Sequence, residues 1–262
     1  MPLHELAGQT PPRDFLVDVP RLISAYYQTS PDAEDPSQGI TFGTSGHRGS
    51  SLNASFNEAH IAAVTAALVE YRKREGIDGP ILIGFDTHAL AWPAFMTTVE
   101  VLAAAGVPFR FQHDNAPTPT PVISQAIIAA NRAGGARCDG IILTPSHNPP
   151  GDGGFKYNPP HGGPADTGAT GWIERRANEL LADWQTIRRQ PFDRAIRSDA
   201  AEGGDFIRID GHEGTAGVVR DVTEQRRRER RLRESEEKYA TVVEEANDGV
   251  FVAQDGILKF AN

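Results

Sequence analysis

The sequence has almost no cysteine and no long apolar run, and these two absences narrow its class. Cys138 is the only cysteine in 262 residues, which excludes an internal disulfide framework and a cysteine-based zinc cluster. No apolar run is long enough to span a bilayer, and the first residues lack the apolar core of a signal peptide. We therefore expect a soluble, cytoplasmic protein with no membrane partner.

The chain also lacks an excess of positive charge. It carries 26 Lys and Arg residues against 35 Asp and Glu residues, a net charge of −9 at pH 7. This balance argues against nucleic acid as a partner, although a local basic site for a phosphate group is compatible with it. The hydrophobic fraction of 39% is typical of a globular protein, and the length is sufficient for a substantial core.

Apolar segments and helical patterns alternate between residues 40 and 197. Strands are predicted at 81–85, 107–111 and 140–143, and helices at about 56–75, 91–105 and 117–131. The strands are apolar without alternation, as in a sheet that helices cover on both faces. The sequence thus predicts an α/β fold, a three-layer α/β/α sandwich. The spacing of Ser55 and Glu58 also predicts a capping box for the first of these helices.

A serine stands on a sharp turn directly after the third predicted strand. Residues 144–150 read Thr-Pro-Ser-His-Asn-Pro-Pro, and the prolines end the strand abruptly. Open α/β sheets bind ligands at the carboxyl ends of their strands, and a glycine-rich loop can turn backbone N–H groups toward an anion. Ser146 is therefore a candidate nucleophile or phosphate carrier, with His147 beside it and Lys156 ten residues on. A plain Pro/Gly surface loop is the alternative that composition alone leaves open.

A second glycine-rich turn, at residues 43–49, carries Arg48. The planar guanidinium of an arginine suits phosphate, and the glycines leave the backbone open. A flexible turn with a solvated arginine is the alternative for this segment. Polar residues, Asp86 and His88, also follow the strand at 81–85. We expect the polar groups at these strand ends to converge on one rim of the sheet.

These motifs, in this order, resemble the bacterial phosphoglucomutases of the α-D-phosphohexomutase superfamily. The matching stretches are 42–49, 84–88, 117–121, 144–150 and 153–158. The likeness covers about residues 1–197, which corresponds to the first of four domains in that family. It implies an isomerase of glucose metabolism, an intramolecular phosphotransferase. The substrates would be hexose phosphates, glucose 1-phosphate and glucose 6-phosphate, with glucose 1,6-bisphosphate as intermediate.

The resemblance also implies a role for each matching residue. Ser146 would carry the phosphoryl group and, through it, be the one Mg²⁺ ligand that this segment supplies. Arg48 would lie close to the phosphoserine, and Lys156 would lie near the transferring oxygen as charge stabiliser or as proton donor and acceptor. His147 and Asn148 would shape the loop, His147 through a hydrogen bond to the substrate. The further phosphate- and substrate-binding residues would be Thr44, Ser45, Gly46 and Asn148. His88 stands where the superfamily often has an arginine, which we interpret as variation between subfamilies.

Motifs of the other three domains of that family are missing from this sequence. It has no Asp-x-Asp-x-Asp cluster for the metal, no Gly-Glu-x-Ser-Gly sugar loop and no Arg-Pro-Ser-Gly-Thr phosphate loop. A Mg²⁺ site of oxygen ligands cannot be built from one serine. We therefore expect this chain to be a fragment or chimera that is inactive alone.

The composition changes after about residue 197, and the last part resembles the junction between two PAS sensor domains. The predicted division is an N-terminal arm at 1–39, the α/β/α domain at 40–197, the end of a PAS-like domain at 198–222, a charged linker helix at 223–246 and the truncated start of a second PAS-like domain at 247–262. The linker has an imperfect heptad spacing, which indicates either weak dimerisation or a solvated single helix. We expect no PAS ligand.

Two alternatives to the phosphoglucomutase interpretation remain open. In one, the protein is a PAS-containing signalling protein whose α/β domain binds a sugar phosphate. In the other, the join between the two parts is an artefact of sequence assembly.

Overall fold

The computed structural model describes residues 8, 10–32, 34–43, 46–112, 116–204, 251–254 and 257–261. The chain divides into two compact units, residues 1–218 and 219–262. The helices of the first unit, in chain order, are α1 (Val19–Gln28), α2 (Glu58–Glu75), α3 (Ala91–Ala104), α4 (Thr120–Arg132), α5 (Thr167–Leu181) and α6 (Phe192–Ala195). Its strands are β1 (His47–Gly49), β2 (Ile81–Phe85), β3 (Phe109–Gln112), β4 (Asp139–Leu143), β5 (Gly153–Asn158) and β6 (Ala201–Gly204).

These strands form one sheet in the order β1-β5-β4-β2-β3-β6. Strands β4, β2, β3 and β6 run parallel to one another, whereas β5 is antiparallel to both of its neighbours, β4 and β1. Parallel strands joined by helices bring their carboxyl ends to the same edge. The ends of β2 and β4 therefore lie side by side, with Phe85 opposite Leu143.

The two faces of the sheet bury different sets of side chains. Ile81 and Ile83 of β2 join the main core, which α2, α3 and α5 cover. Leu82 points to the other face and packs with Ile123 and Ile127 of α4. Helices thus cover both faces, and the predicted α/β class with its central apolar strands is confirmed.

The start of α2 differs from the sequence prediction. Asn57, not Ser55, caps the helix, and its N–H donates to Nδ1 of His60 at 3.1 Å. The hydroxyl of Ser55 instead accepts from the N–H of Ser50 at 3.1 Å. The predicted Ser55–Glu58 capping box is therefore wrong, because the chain is still turning at Ser55.

Two strands at one edge of the sheet were not predicted. Residues 43–49 were interpreted as a turn, but His47–Gly49 forms β1 and pairs with β5. Neither strand reads as an uninterrupted apolar run, since the paired segments include Gly49, Gly153 and Gly154. These strands form because β1 pairs with β5 and β5 pairs with β4. The local sequence pattern does not show which strands will pair.

The sheet also continues past residue 197, where the sequence prediction placed the end of the α/β domain. Residues Ala201–Gly204 form β6, and Phe109 of β3 lies opposite Ala201. In the second unit, β7 (Phe251–Gln254) and β8 (Ile257–Ala261) form an antiparallel hairpin. The PAS assignments of 198–222 and 247–262 remain predictions, and the predicted charged helix at 223–246 lies outside the described residues.

No helix in the part of the chain that the structure describes is long and apolar enough to cross a membrane.

Candidate active site

Ser146 lies on a turn directly after β4, in a backbone conformation that is unusual for its residue type. Its φ angle is +71°, in the left-handed region that glycine favours. The preceding Thr144 and Pro145 are buried, whereas Ser146 itself is exposed. A left-handed non-glycine residue costs about 1–3 kcal/mol and persists only where the surroundings fix it. The turn thus presents the serine hydroxyl to solvent at the carboxyl edge of the sheet.

Hydrogen bonds fix the backbone of this turn from below. The N–H of Ser146 donates to the Thr144 hydroxyl oxygen at 2.9 Å. The Thr144 hydroxyl in turn donates to Oδ2 of Asp86, which follows β2. The serine is therefore tied, through one side chain, to the end of the neighbouring strand.

Close backbone packing fixes the turn from the side. A Cβ on Gly154 would lie 2.3 Å from the Thr144 carbonyl oxygen and 2.7 Å from the Pro145 Cα. At Gly46, where φ is +142°, a Cβ would lie 2.3 Å from the carbonyl oxygen of Phe155. Only glycine fits at these two positions, because any side chain would push the segments apart.

Two cationic residues lie on the strands beside the serine turn. Arg48 of β1 stands opposite Gly154 of β5, and Lys156 lies two residues further along β5, opposite Ile142 of β4. Side chains two residues apart in a strand share one face, so Arg48 and Lys156 lie on the same face of the sheet. The register therefore brings both positive charges to the edge that carries Ser146.

The charges near Lys156 influence its protonation. Partial burial lowers the pKa of Lys156, the neighbouring positive charge of Arg48 lowers it further, and Asp86 raises it. An amine with a lowered pKa exchanges a proton more readily at neutral pH. Lys156 is thus suited both to attract a phosphate and to give or take a proton.

The structure describes the positions of three of the other predicted site residues. Gly46 immediately precedes β1, and His147 is exposed on the turn beside Ser146. The Asn148 side chain donates to Oδ2 of Asp152 at 3.0 Å, within the same loop. The predicted roles of Thr44 and Ser45 lie outside the described residues.

Sequence reasoning gave no role to three residues that support the turn. Asp86 and Thr144 hold the serine backbone, and His88 approaches the far side of the loop, with Nε2 3.2 Å from the Asn148 carbonyl oxygen. The predicted convergence of polar groups on one rim is confirmed for these residues. Their position directly after β2 and β4 was the available signal.

The described residues do not by themselves fit a Mg²⁺ ion. Among them, no group of three or more His, Cys, Asp or Glu side chains is arranged to hold a metal. The carboxylate next to the turn, Asp86, already accepts from Thr144 and from His88. A single serine oxygen falls well short of the six oxygen ligands that Mg²⁺ prefers.

The fold and this site together define an α/β/α domain that presents an exposed serine beside two cations. The family described as phosphoglucomutase/phosphomannomutase, alpha/beta/alpha domain I, matches residues 39–183. This match covers more than half of the chain, and the chain belongs to that family.

Individual relatives agree with this assignment. The chain is 48% identical over 207 residues to the phosphoglucomutase of Komagataeibacter xylinus, a match of 78% of this chain and 37% of the relative. It is 31% identical over 163 residues to the phosphoglucosamine mutase of Marinobacter nauticus, which covers 62% of this chain and 34% of the relative. The chain therefore spans little more than a third of the length of these curated relatives.

Among solved structures, the open form of pp63/parafusin, a phosphoglucomutase from Paramecium, matches 62% of this chain and 27% of its own length. The sequence identity there is 24% and the TM-score is 0.49.

Proposed function

We propose that this chain supplies the phosphoserine domain of a phosphoglucomutase that interconverts glucose 1-phosphate and glucose 6-phosphate. The observation that carries the proposal is the exposed Ser146, held at φ +71° at the end of β4 on the edge that also bears Arg48 and Lys156. The 48% identity to a phosphoglucomutase favours glucose phosphates over the other sugars that relatives act on.

In the proposed reaction, phosphorylated Ser146 gives its phosphoryl group to a free hydroxyl of a hexose monophosphate. The bond between phosphorus and Oγ breaks, a bond between phosphorus and the sugar oxygen forms, and the sugar hydroxyl proton passes through a nearby base to the departing Oγ. Phosphoryl transfer depends mainly on positioning and charge stabilisation. Arg48 stabilises the charge on the transferring group, and Lys156, with its lowered pKa, accepts the proton.

The second half of the reaction reverses the first with the other phosphate. Glucose 1,6-bisphosphate reverses its orientation, and Oγ of Ser146 attacks its second phosphorus. Lys156 takes the proton from the serine hydroxyl and gives it to the departing sugar oxygen. His147, on the same turn, contacts the sugar phosphate in this proposal. Phosphorylated Ser146 would be the one ligand that the described residues offer to Mg²⁺, and the ion would supply charge stabilisation at the phosphate.

Acceptance of a phosphoryl group is the direct test of this function. The full chain is incubated with glucose 1,6-bisphosphate and analysed by peptide mass spectrometry. A long incubation requires one slow transfer and not repeated turnover, so we expect one added phosphoryl group on Ser146, lost in Ser146→Ala and reduced in Arg48→Ala. Modification of another residue, or none above the level of a heat-denatured control, would contradict the proposal.

A turnover assay tests the expectation that the chain is inactive alone. Conversion of glucose 1-phosphate is coupled to glucose-6-phosphate dehydrogenase, and NADPH formation is followed by absorbance. Because the described residues hold no metal cluster, we expect no turnover above that of Ser146→Ala. Robust turnover that Ser146→Ala abolishes would overturn this expectation while supporting the assigned chemistry.

A further inference from the structure

We propose that Asp86 and His88, acting through Thr144 and Asn148, are positioning residues that hold the Ser146 turn in its phosphate-accepting conformation. The inference rests on the proposed function, since it gives these residues a task in presenting the phosphoserine. They are not substrate contacts in this proposal. They act on the backbone on either side of the serine.

The first contact fixes the residue before the turn. Asp86 accepts a hydrogen bond from the Thr144 hydroxyl. The Thr144 oxygen is then oriented to accept a hydrogen bond from the backbone N–H of Ser146 at 2.9 Å. This order of donors matters, because a hydroxyl has one proton to give. The carboxylate therefore determines that the threonine oxygen faces the serine N–H.

The second contact fixes the residue after the turn. The backbone N–H of His88 donates to Oδ1 of Asp86 at 2.8 Å, and the ring Nδ1 of His88 lies 2.8 Å from Oδ2 of the same carboxylate. The other ring nitrogen, Nε2, faces the Asn148 carbonyl oxygen at 3.2 Å. Both ring partners are acceptors, and the ring that lies between them joins Asp86 to the far side of the loop.

These contacts lie two residues before and two residues after Ser146. A further bond, from the Ser50 hydroxyl to the Gly151 carbonyl oxygen at 2.8 Å, holds the loop where it leaves the site. A non-glycine residue at φ +71° relaxes toward a commoner conformation unless its flanks are fixed. Release of either flank lets the serine move away from the face that bears Arg48 and Lys156.

Asp86 and His88 are partly exposed, which distinguishes a positioning role from a role in the stability of the whole fold. The side chains of Asp86 and His88 are 26% and 17% exposed, at the rim of the sheet, and the core packs without them. Loss of their bonds should therefore alter the loop more than it alters the unfolding transition. Thr118→Val is the matched control, since the Thr118 hydroxyl is also at the rim but bonds to the Ala116 carbonyl oxygen at 3.2 Å.

The test uses the full chain with phosphoserine incorporated at position 146 by an expanded genetic code. Phosphorus NMR then measures the pH at which the phosphoserine loses its second proton. Phosphoserine in an unfolded chain titrates near pH 6, and nearby cations lower this midpoint by about one pH unit or more. We expect the native chain to show the lowered midpoint, and Arg48→Ala to raise it.

The positioning residues are tested in the same titration. Thr144→Val, which removes the hydroxyl without changing charge, should raise the midpoint toward that of the unfolded chain. Thr144→Ser should restore the native value, and Thr118→Val should leave it unchanged. Asp86→Asn removes a negative charge and would lower the midpoint by electrostatics alone, so a rise in this variant identifies release of the turn.

Amide hydrogen exchange of the unphosphorylated chain gives an independent measurement. We expect His88→Ala and Thr144→Val to speed exchange of the Ser146 N–H about tenfold, the equivalent of one lost hydrogen bond. The amides of β2 and β4 should exchange as in the native chain. Faster exchange throughout the sheet would show a general loss of fold and contradict a positioning role.

The outcomes distinguish the inference from the proposed function. If the native chain titrates like its unfolded form, Arg48 and Lys156 do not face the phosphoserine, and the proposed function fails. If the native midpoint is lowered but Thr144→Val and Asp86→Asn leave it unraised, the proposed function stands and the positioning role is overturned.

Discussion

A buried histidine in the core below the site provides a sharp test of how acid affects this fold. His47 is 2% exposed, and its ring stacks between Phe56 and His60, with ring centroids 5.8 and 5.6 Å away. Burial lowers the pKa of His47 from its ordinary 6.5 to about 4, and the neighbouring His60 lowers it in the same direction. The ring is therefore neutral in the folded protein at pH 7.

The difference between the ordinary pKa of His47 and its pKa in the folded protein determines how acid changes the stability. Between about pH 6.5 and pH 4 the unfolded chain binds a proton at His47 that the folded chain does not, so acidification favours unfolding. A difference of about 2.5 pH units, at about 1.4 kcal/mol each, lowers the free energy of unfolding by about 3 kcal/mol. This contribution of neutral His47 to the free energy of unfolding is fully present above about pH 6.5 and is lost as the pH falls toward 4.

Asp139 acts in the opposite direction and would hide this effect in the native chain. Burial raises the pKa of Asp139 to about 6, against the stabilising charge of Arg72 and the bond from Tyr157. The folded chain then binds a proton between about pH 6 and pH 3.8 that the unfolded chain does not. Acidification in this range stabilises the fold through Asp139 and therefore opposes the effect of His47.

The assay must therefore compare the native chain with His47→Asn. The asparagine oxygen keeps an acceptor for the Thr41 N–H, which donates to Nδ1 of His47 at 3.3 Å. Urea unfolding is followed by tryptophan fluorescence at several pH values. All three tryptophans of the chain, Trp92, Trp172 and Trp184, lie in the α/β unit, so the signal reports on its unfolding.

We expect His47→Asn to be less stable than the native chain at pH 7, because the smaller side chain leaves a cavity. As the pH falls toward 4, the difference in the free energy of unfolding between the native chain and His47→Asn should shrink by about 3 kcal/mol, because only the native chain has His47 to protonate. A gap that stays constant within about 0.5 kcal/mol over this range would refute the lowered pKa of His47. It would leave the contribution of Asp139 intact.

Two further variants test the packing of the site and of its support. Gly154→Ala places a Cβ 2.3 Å from the Thr144 carbonyl oxygen, so urea unfolding should show a loss of about 1–3 kcal/mol. The control Gly151→Ala, whose Cβ meets nothing within 4 Å, should cost less than about 0.5 kcal/mol; equal losses would contradict the packing argument. Tyr157→Phe removes a donor 2.9 Å from the buried Asp139 carboxylate and should cost about 1–3 kcal/mol at pH 7. An unchanged unfolding midpoint would show that this bond contributes nothing.

The sequence was sufficient for the central part of the sheet because burial there dictates composition. Residues 81–85 and 140–143 are buried throughout, and a strand covered on both faces reads as an uninterrupted apolar run. The edge strand β1 and its neighbour β5 lack such a pattern. Their conformation depends on pairing between residues about a hundred positions apart, such as Arg48 and Gly154, and no local signal encodes that partnership.

The same reasoning explains which parts of the candidate site were visible in the sequence. The motif around Ser146 identified the serine, because its residues are adjacent in the chain. The contacts that hold it were not identified, because Asp86 reaches Thr144 across 58 positions and His88 reaches Asn148 across 60. Only the parallel pairing of β2 with β4 brings these ends together.

The residues that break local rules are those that build the site. Glycine is unfavourable inside a strand, yet Gly154 is buried in β5 because the serine turn packs against its Cα. Serine is unfavourable at a positive φ, yet Ser146 adopts +71° between two flanks that Asp86 and His88 hold. The fold accepts both costs at one edge of the sheet, where a rigid, exposed hydroxyl beside two cations meets the needs of the proposed phosphoryl transfer.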